Sequence, residues 1–255
     1  MSQSTQTLHG KTALLTGAAR RLGATIARAF HAHGANVVIH HRSSSTSEAA
    51  DALVAELNAI RANSASAIAA DLLNVASLPS LVAGTVERFG RLDILVNNAS
   101  TFYPTPVGDI TLAHWDDLMG SNLRAPLFLS QAAAQQLRLH EGLILNMIDI
   151  HAERPLKRHP VYCSAKAGLA MLTRSLAREL APHVRVNGIA PGPVLWPEVD
   201  IDEHLKERII DRTALKRPGS PDDIARAALF FACDAPFVTG QILAIDGGRS
   251  GASGQ

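Results

Sequence analysis

The sequence has few cysteines, almost no net charge and no long apolar run. Cys163 and Cys233 are its only thiols. Two are too few for a disulfide framework or a thiolate metal site. No metal is therefore expected, and both are read as reduced packing residues of a cytoplasmic protein. Lysine plus arginine number 24 and aspartate plus glutamate 23, a formal net charge of +1. That balance argues against charge-driven binding to nucleic acid or to a membrane surface. No apolar stretch approaches the ~18 residues of a membrane span. Residues Met1 to His9 are polar and carry no apolar signal core. Internal repeats, low-complexity tracts and long linkers are also absent. What remains is a chain that is 47% hydrophobic and 18% charged. Its 255 residues suffice for one large domain, 1–255, with a sizeable core.

Apolar periodicity alternates between strand and helix. Buried strands are expected at Thr12–Leu15, Val37–Ile39, Ala67–Ala70, Leu92–Val96, Leu143–Ile148, Val184–Ile189 and Gln241–Ile245. Between them lie a helix through Ile26 that closes at His33-Gly34, then Ser47–Asn63, Ser77–Phe89, Thr111–Gly120 and Leu123–Leu139. Further helices are expected from Tyr162 to Leu180 and from Asp222 to Phe231. Pro191–Ala214 reads as an irregular stretch and a candidate substrate lid, and Gly247–Gln255 as a tail. Alternation of this kind builds right-handed βαβ units around a parallel sheet covered on both faces. Ligands of such α/β folds sit beyond the carboxyl ends of the strands. The polar residues Thr16-Gly17, His41-Arg42, Asp71, Asn97-Asn98, Asp149 and Pro191-Gly192 all fall at expected strand ends.

Those ends carry recognisable chemistry. Thr16-Gly17-Ala18-Ala19-Arg20-Arg21-Leu22-Gly23 joins a buried strand to a helix. Small residues let the backbone approach a pyrophosphate, the helix start supplies N–H donors, and two arginines add phosphate pairing. The second strand ends without an acid, where an acid would hold a ribose 2′-hydroxyl; His41, Arg42 and Ser43 stand there instead. Arginine accommodates a 2′-phosphate, so NADPH is the expected cofactor. Asn97 and Asn98 can tie a turn to its neighbouring strand. Phe102 and Tyr103 are placed to stack on a flat ring. Tyr162 and Lys166 lie four apart, on one helix face. The ammonium is expected to lower the phenol's pKa.

Over almost its whole length the sequence resembles the short-chain dehydrogenase/reductase superfamily. The likeness rests on the Gly-rich turn, Asn97-Asn98-Ala99, Asn122, Tyr162 with Lys166, Asn187 and Pro191-Gly192. Within the superfamily it is most similar to the pteridine reductases. Their marks are Arg21 in place of a turn glycine, His41-Arg42-Ser43, Asn97 to Ser100 followed by Phe102 to Pro106, and Asp149 in place of a catalytic serine. The resemblance implies a Rossmann-type doubly wound sheet of about seven strands in the order 3-2-1-4-5-6-7. It also implies cofactor contacts from Gly17, Arg20, Arg21, Leu22, His41, Arg42, Ser43, Asp71, Leu72, Asn98, Ala99, Ser100, Tyr162, Lys166, Pro191 and Gly192. A pterin would be held by Arg21, Ser100, Phe102, Asp149, Tyr162 and Trp196, with Asp149, Tyr162, Lys166 and Asn122 as the catalytic set. Asn122 also suits a helix N-cap. The chain departs from the superfamily pattern after Pro191-Gly192, where no threonine follows to hold a carboxamide.

Asp149 bears on the substrate. Carbonyl reduction needs a hydroxyl donor to the substrate oxygen, whereas an ionised carboxylate only accepts. Reduction of a ring C=N needs a proton at nitrogen, which an acid can help deliver. The implied activity is NADPH-dependent reduction of pterins or dihydropterins, with dihydrofolate as a further substrate, by a homotetramer built on the two long helices of the second half. The alternatives are a carbonyl reductase such as a 3-oxoacyl-thioester reductase, and a non-catalytic NADPH-binding sensor.

Overall fold

The computed structural model describes residues 8–42, 44–195 and 202–251. Strands and helices alternate as β1 (Thr12–Leu15), α1 (Arg21–Ala32), β2 (Asn36–His41), α2 (Ser44–Ile60), β3 (Ala65–Ala69), α3 (Leu78–Phe89) and β4 (Ile94–Asn97). They continue as α4 (Leu112–Met119), α5 (Ala125–Leu139), β5 (Leu143–Met147), α6 (Pro160–Glu179), β6 (Arg185–Pro191), α7 (Glu203–Asp211), α8 (Pro221–Leu229) and β7 (Ile242–Ile245). The strands form one seven-stranded sheet in the order β3-β2-β1-β4-β5-β6-β7. Every neighbouring pair is parallel.

Side chains of a strand alternate between faces. Leu14, Val38, Leu95, Ile144 and Val186 therefore pack under α3 and α5 on one face. Leu15, Val37, Ile39, Val96 and Leu145 pack under α1, α2 and α8 on the other. Burial on both faces is why these strands read as continuous apolar runs. Helix α1 buries Gly23, Ala24, Ile26, Ala27 and Phe30. It ends where Gly34 takes φ +98 and its N–H donates to His31 O. The chain winds outward from β1 to β3, then crosses back to β4 on the other side of β1. A crevice opens beyond the carboxyl ends at that reversal.

The structure differs from the sequence expectation in four places. Helix α2 begins three residues earlier, within the Ser-rich segment, and ends at Ile60. Asn63 is left-handed at φ 56, and Asn58 Oδ1 accepts the N–H groups of Ser64 and Ala65, which closes the helix. Residues 112–139 are not two separate helices but one path loosened by a π turn at Gly120–Arg124. Pro126 has no N–H to give the Asn122 carbonyl, and its ring crowds that carbonyl. The 191–214 segment is not irregular throughout, because it contains α7, capped by Asp202, which accepts from His204 N–H. Residues 247–251 are not a loose tail. Asp246 accepts from the N–H groups of Gly248 and Ser250, and Arg249 donates to Ile209 O. Among the described residues no helix is long and apolar enough to cross a membrane.

Candidate active site

The turn after β1 is held on every side. Gly17 has φ +58, and a Cβ there would stand 2.8 Å from Ala99 Cα. A Cβ on Gly23 would meet Ala18 Cα at 2.6 Å and Asn98 Nδ2 at 2.7 Å. Both positions therefore require glycine. Asn98 Nδ2 donates to the carbonyls of Thr16 and Gly17, and Thr16 Oγ1 accepts the N–H groups of Asn98 and Ala99. Asn97 reaches across the sheet to Asn146 at 2.8 Å, and Asn146 to Thr173. The expected role of the two asparagines as ties is thus met by named bonds.

His40 completes this frame and was missed from sequence. Its Nδ1 accepts from Gly17 N–H at 3.1 Å, and its Nε2 donates to Ala70 O at 3.0 Å. Burial pushes its pKa down to about 4, so the ring stays neutral in this tautomer. The Gly17 N–H is spent on His40. Phosphate recognition then falls to the residues that follow.

Arg21 sits at φ 54, a left-handed conformation that costs a side-chain-bearing residue about 1–2 kcal/mol. A glycine would be unstrained there. The strain turns Arg21 onto the walls of two adjoining cavities. The first, about 390 Å³, is lined by Gly17, Arg20, Arg21, Leu22, His41 and Arg42. Asp71, Leu72, Asn98, Ala99 and Ser100 complete its far side. Arg42 lies 3.7 Å from Asp71 at the rim, an exposed pair. A glycine-lined floor with arginines around it fits a dinucleotide, and a Cβ at Gly17 or Gly23 would collide with Ala99 or Ala18 and force that floor apart. Ser43 lies outside the described residues.

The second cavity, about 1050 Å³, holds Phe102, Asp149, Tyr162, Pro191 and Gly192, and shares Arg21 and Ser100 with the first. Pro191 and Gly192 line this cavity, not the first. Trp196 lies outside the described residues. Tyr162 projects from the first turn of α6, and Asp149 follows β5. The phenol donates to Asp149 Oδ2 at 2.8 Å, and Asp149 Oδ1 accepts from His151 N–H at 2.8 Å.

Lys166 Nζ is buried beneath the tyrosine. It donates to Met147 O at 2.8 Å and lies 5.7 Å from the phenol ring centroid. Burial pushes its pKa down to about 8, opposed by the Asp149 charge. The expectation that Lys166 lowers the tyrosine's pKa is reversed in this arrangement. Burial foremost, then the charge and hydrogen bond of Asp149, push Tyr162 well above 10, with a Ser100 hydrogen bond pulling the other way. The carboxylate bonds the phenol directly, whereas the ammonium faces its ring.

Asn122 is no N-cap. It sits inside the π turn, fully buried, and donates to the carbonyls of Thr101 and Leu118. Its Oδ1 accepts from Ser100 Oγ at 2.6 Å, so it positions a residue common to both cavities. Phe102 stacks on His159, with centroids 4.7 Å apart and planes at 8°, and meets Tyr162 edge-on. Tyr103 points elsewhere, its hydroxyl donating to Asp117. His159 was not foreseen. The basic loop that carries it is pinned to the Phe102 loop by Thr105 N–H donating to Arg158 O. Arg208, Arg212 and Arg249 on the cavity wall were also missed.

This fold, with a glycine turn at β1 and a Tyr–Lys pair on α6 beside a residue after β5, defines a short-chain dehydrogenase/reductase. The chain belongs to that superfamily of oxidoreductases. A family model described as enoyl-(acyl carrier protein) reductase matches residues 17–250. Pteridine reductase 1 of Leishmania tarentolae is 38% identical, over 93% of this chain and 96% of that protein. The 3-oxoacyl-[acyl-carrier-protein] reductase FabG of Staphylococcus aureus is 34% identical, over 93% and 97%. The solved blue fluorescent protein from a metagenomic library, in complex with NADPH, superposes with a TM-score of 0.90 at 35% identity, over 96% of this chain and 99% of that one.

Proposed function

We propose that the protein is an NADPH-dependent pteridine reductase, reducing pterins or dihydropterins to their tetrahydro forms by hydride transfer and protonation. The observation that carries this reading is the 2.8 Å hydrogen bond from Tyr162 to Asp149. A carbonyl reducer needs a neutral donor where Asp149 stands, and a carboxylate there repels a developing alkoxide. It suits the N–H donors of an aminopyrimidine and a proton bound for a ring nitrogen.

Arg20, Arg21, Leu22, Asn98 and Ala99 would hold the cofactor's pyrophosphate and ribose end, and Arg42 with His41 its 2′-phosphate. NADPH bound there supplies the hydride. Tyr162 keeps its proton near neutral pH, because burial and Asp149 hold its pKa high. It is therefore the proton donor, and Asp149 orients it and passes the replacement proton. Lys166 remains cationic beneath the phenol and compensates charge as the proton leaves. Phe102, held flat by His159, presents a face to the pterin. Ser100, fixed by Asn122, and Arg21 reach both ligands. Helix α7 walls the cavity as the described part of a substrate lid at about 191–214, of which 196–201 lie outside the described residues.

The FabG relative favours a second reading, a 3-oxoacyl-thioester reductase. Steady-state NADPH oxidation with dihydrobiopterin, biopterin, dihydrofolate and an acetoacetyl thioester separates the two. Turnover of the pterins with little of the thioester is expected, and the reverse order would favour the second reading. The homotetramer belongs to the same proposal. Exposed Leu127 on α5 and Met171 on α6 support association through those helices, and light scattering of the purified protein tests it.

A further inference from the structure

The wall of the second cavity remote from Tyr162 carries three arginines that form no ion pair among the described residues. Helix α7 turns Leu205, Arg208 and Ile209 to it, and its C-cap Arg212 continues the i, i+3, i+4, i+7 spacing of that face. Arg249 enters from the turn after β7, held by its donation to Ile209 O at 2.8 Å. Arg212 stands near enough to lower the pKa of Arg249, second only to burial, with Asp246 opposing.

Several of the described acids nearby are engaged elsewhere. Glu203 pairs with Lys206, and Asp202 accepts from His204 N–H. Asp246 gives one oxygen to Gly248 N–H and the other to Ser250 N–H. Asp149, the one carboxylate on this cavity wall among the described residues, is engaged by Tyr162 and His151. Among the described residues Arg208, Arg212 and Arg249 form no ion pair.

The last turn of any helix attracts cations, which accounts for arginines at 208 and 212. It does not account for their facing the cavity, nor for Arg249 arriving beside Arg212 from another segment. Like charges gathered at a cavity wall cost free energy unless an anion lies between them. The cavity's volume also exceeds what a bicyclic ring needs, since pockets of about 300–1,000 Å³ hold drug-sized ligands.

We propose that Arg208, Arg212 and Arg249 form an anion subsite for a carboxylate or phosphate on the substrate arm that extends away from the reacting ring. The ring itself rests on the pterin reading above; the anion does not. A substrate with an acidic tail is then preferred over one with a short neutral side chain. Guanidinium groups suit either anion through paired N–H donors.

The test compares three dihydropterins at saturating NADPH: one with a neutral dihydroxypropyl arm, one with an aminobenzoyl-glutamate arm and one with a phosphorylated arm. The variant is Arg208→Gln/Arg212→Gln, with Arg249 kept because it ties down Ile209. For the preferred acidic-tailed substrate, kcat/KM should fall about 10- to 100-fold, mostly through KM and less at high salt. The neutral-armed substrate should be unaffected. Whichever acidic tail loses more identifies the anion. Equal losses for all three, or none, would overturn the subsite.

If the wild type reduces none of the three, the pterin reading fails. Calorimetric titration of the NADPH-bound protein with tripolyphosphate and with citrate then decides the subsite alone. Binding by wild type that the variant loses would support it, and indistinguishable titrations would refute it.

Discussion

The two cavities that meet at Arg21 and Ser100 are built by different means. The smaller is a backbone construction. Its floor is the Gly17 turn, locked by His40, Asn98 and Thr16, and its shape depends on two glycines that tolerate no Cβ. The larger is a side-chain construction. Residues from the β5 end, the 153–160 loop, α6, α7 and the turn after β7 converge on it, and among the described residues Arg208, Arg212 and Arg249 form no ion pair. The contrast separates what every enzyme on this fold must keep from what one enzyme can change. A dinucleotide is held by a frame; a substrate is chosen by side chains laid on that frame.

Damage confined to the larger cavity should stop chemistry and spare the smaller. Tyr162→Phe removes the proton donor, so kcat should fall by about 10²–10⁴. NADPH binding, followed by fluorescence titration, should persist; loss of both together would break the distinction.

Acid should act on the smaller cavity first. His40 has its pKa depressed from 6.5 to about 4 in the fold, so the folded state favours the neutral ring. Its contribution is complete above about pH 6.5 and is lost as pH falls through the folded value, a loss of about 3 kcal/mol at 1.36 kcal/mol per unit. Urea midpoints at pH 7 and pH 4 should diverge more for wild type than for His40→Gln. Equal pH dependence would remove His40 from the frame.

Gly17→Ala places a Cβ against Ala99 in a left-handed turn, at about 1–3 kcal/mol. A lower Tm and weaker NADPH binding are expected together. An unchanged NADPH affinity would mean that the turn does not shape the cofactor site.

Arg42→Ala is the mildest. Its pairing with Asp71 is exposed and contributes about 0.2–1 kcal/mol to stability. Loss of one charge-assisted contact to a 2′-phosphate should raise the NADPH KM about tenfold and leave that for NADH alone. Equal changes would remove the 2′-phosphate contact.

The same contrast explains what could be read from the sequence. The sheet order and the cofactor turn were legible because strands buried on both faces leave continuous apolar runs, and a glycine turn is a local pattern. Asp149 precedes Tyr162 by only thirteen residues and Lys166 follows it by four, so the three declare themselves through spacing. His40 was hidden by its neighbour, since His41 and Arg42 offered a more obvious ligand at the same strand end. His159 stacks on Phe102 from more than fifty residues away. Arg208, Arg212 and Arg249 meet only because residues 247–251 fold back onto α7, where a tail was expected. The direction of the tyrosine's pKa is hidden from the sequence for a related reason. Helical spacing brings Lys166 near the ring, but only the three-dimensional path of β5 puts Asp149 on the hydroxyl.

The central claim is that Asp149 sets the choice of a ring C=N over a carbonyl. Its most direct test is the ratio of kcat/KM for dihydrobiopterin to that for an acetoacetyl thioester, measured in wild type and in Asp149→Ser with NADPH saturating. The ratio should favour the pterin in wild type and fall about 10²-fold in the variant. A ratio that favours the thioester in wild type, or that the substitution leaves unchanged, would contradict it.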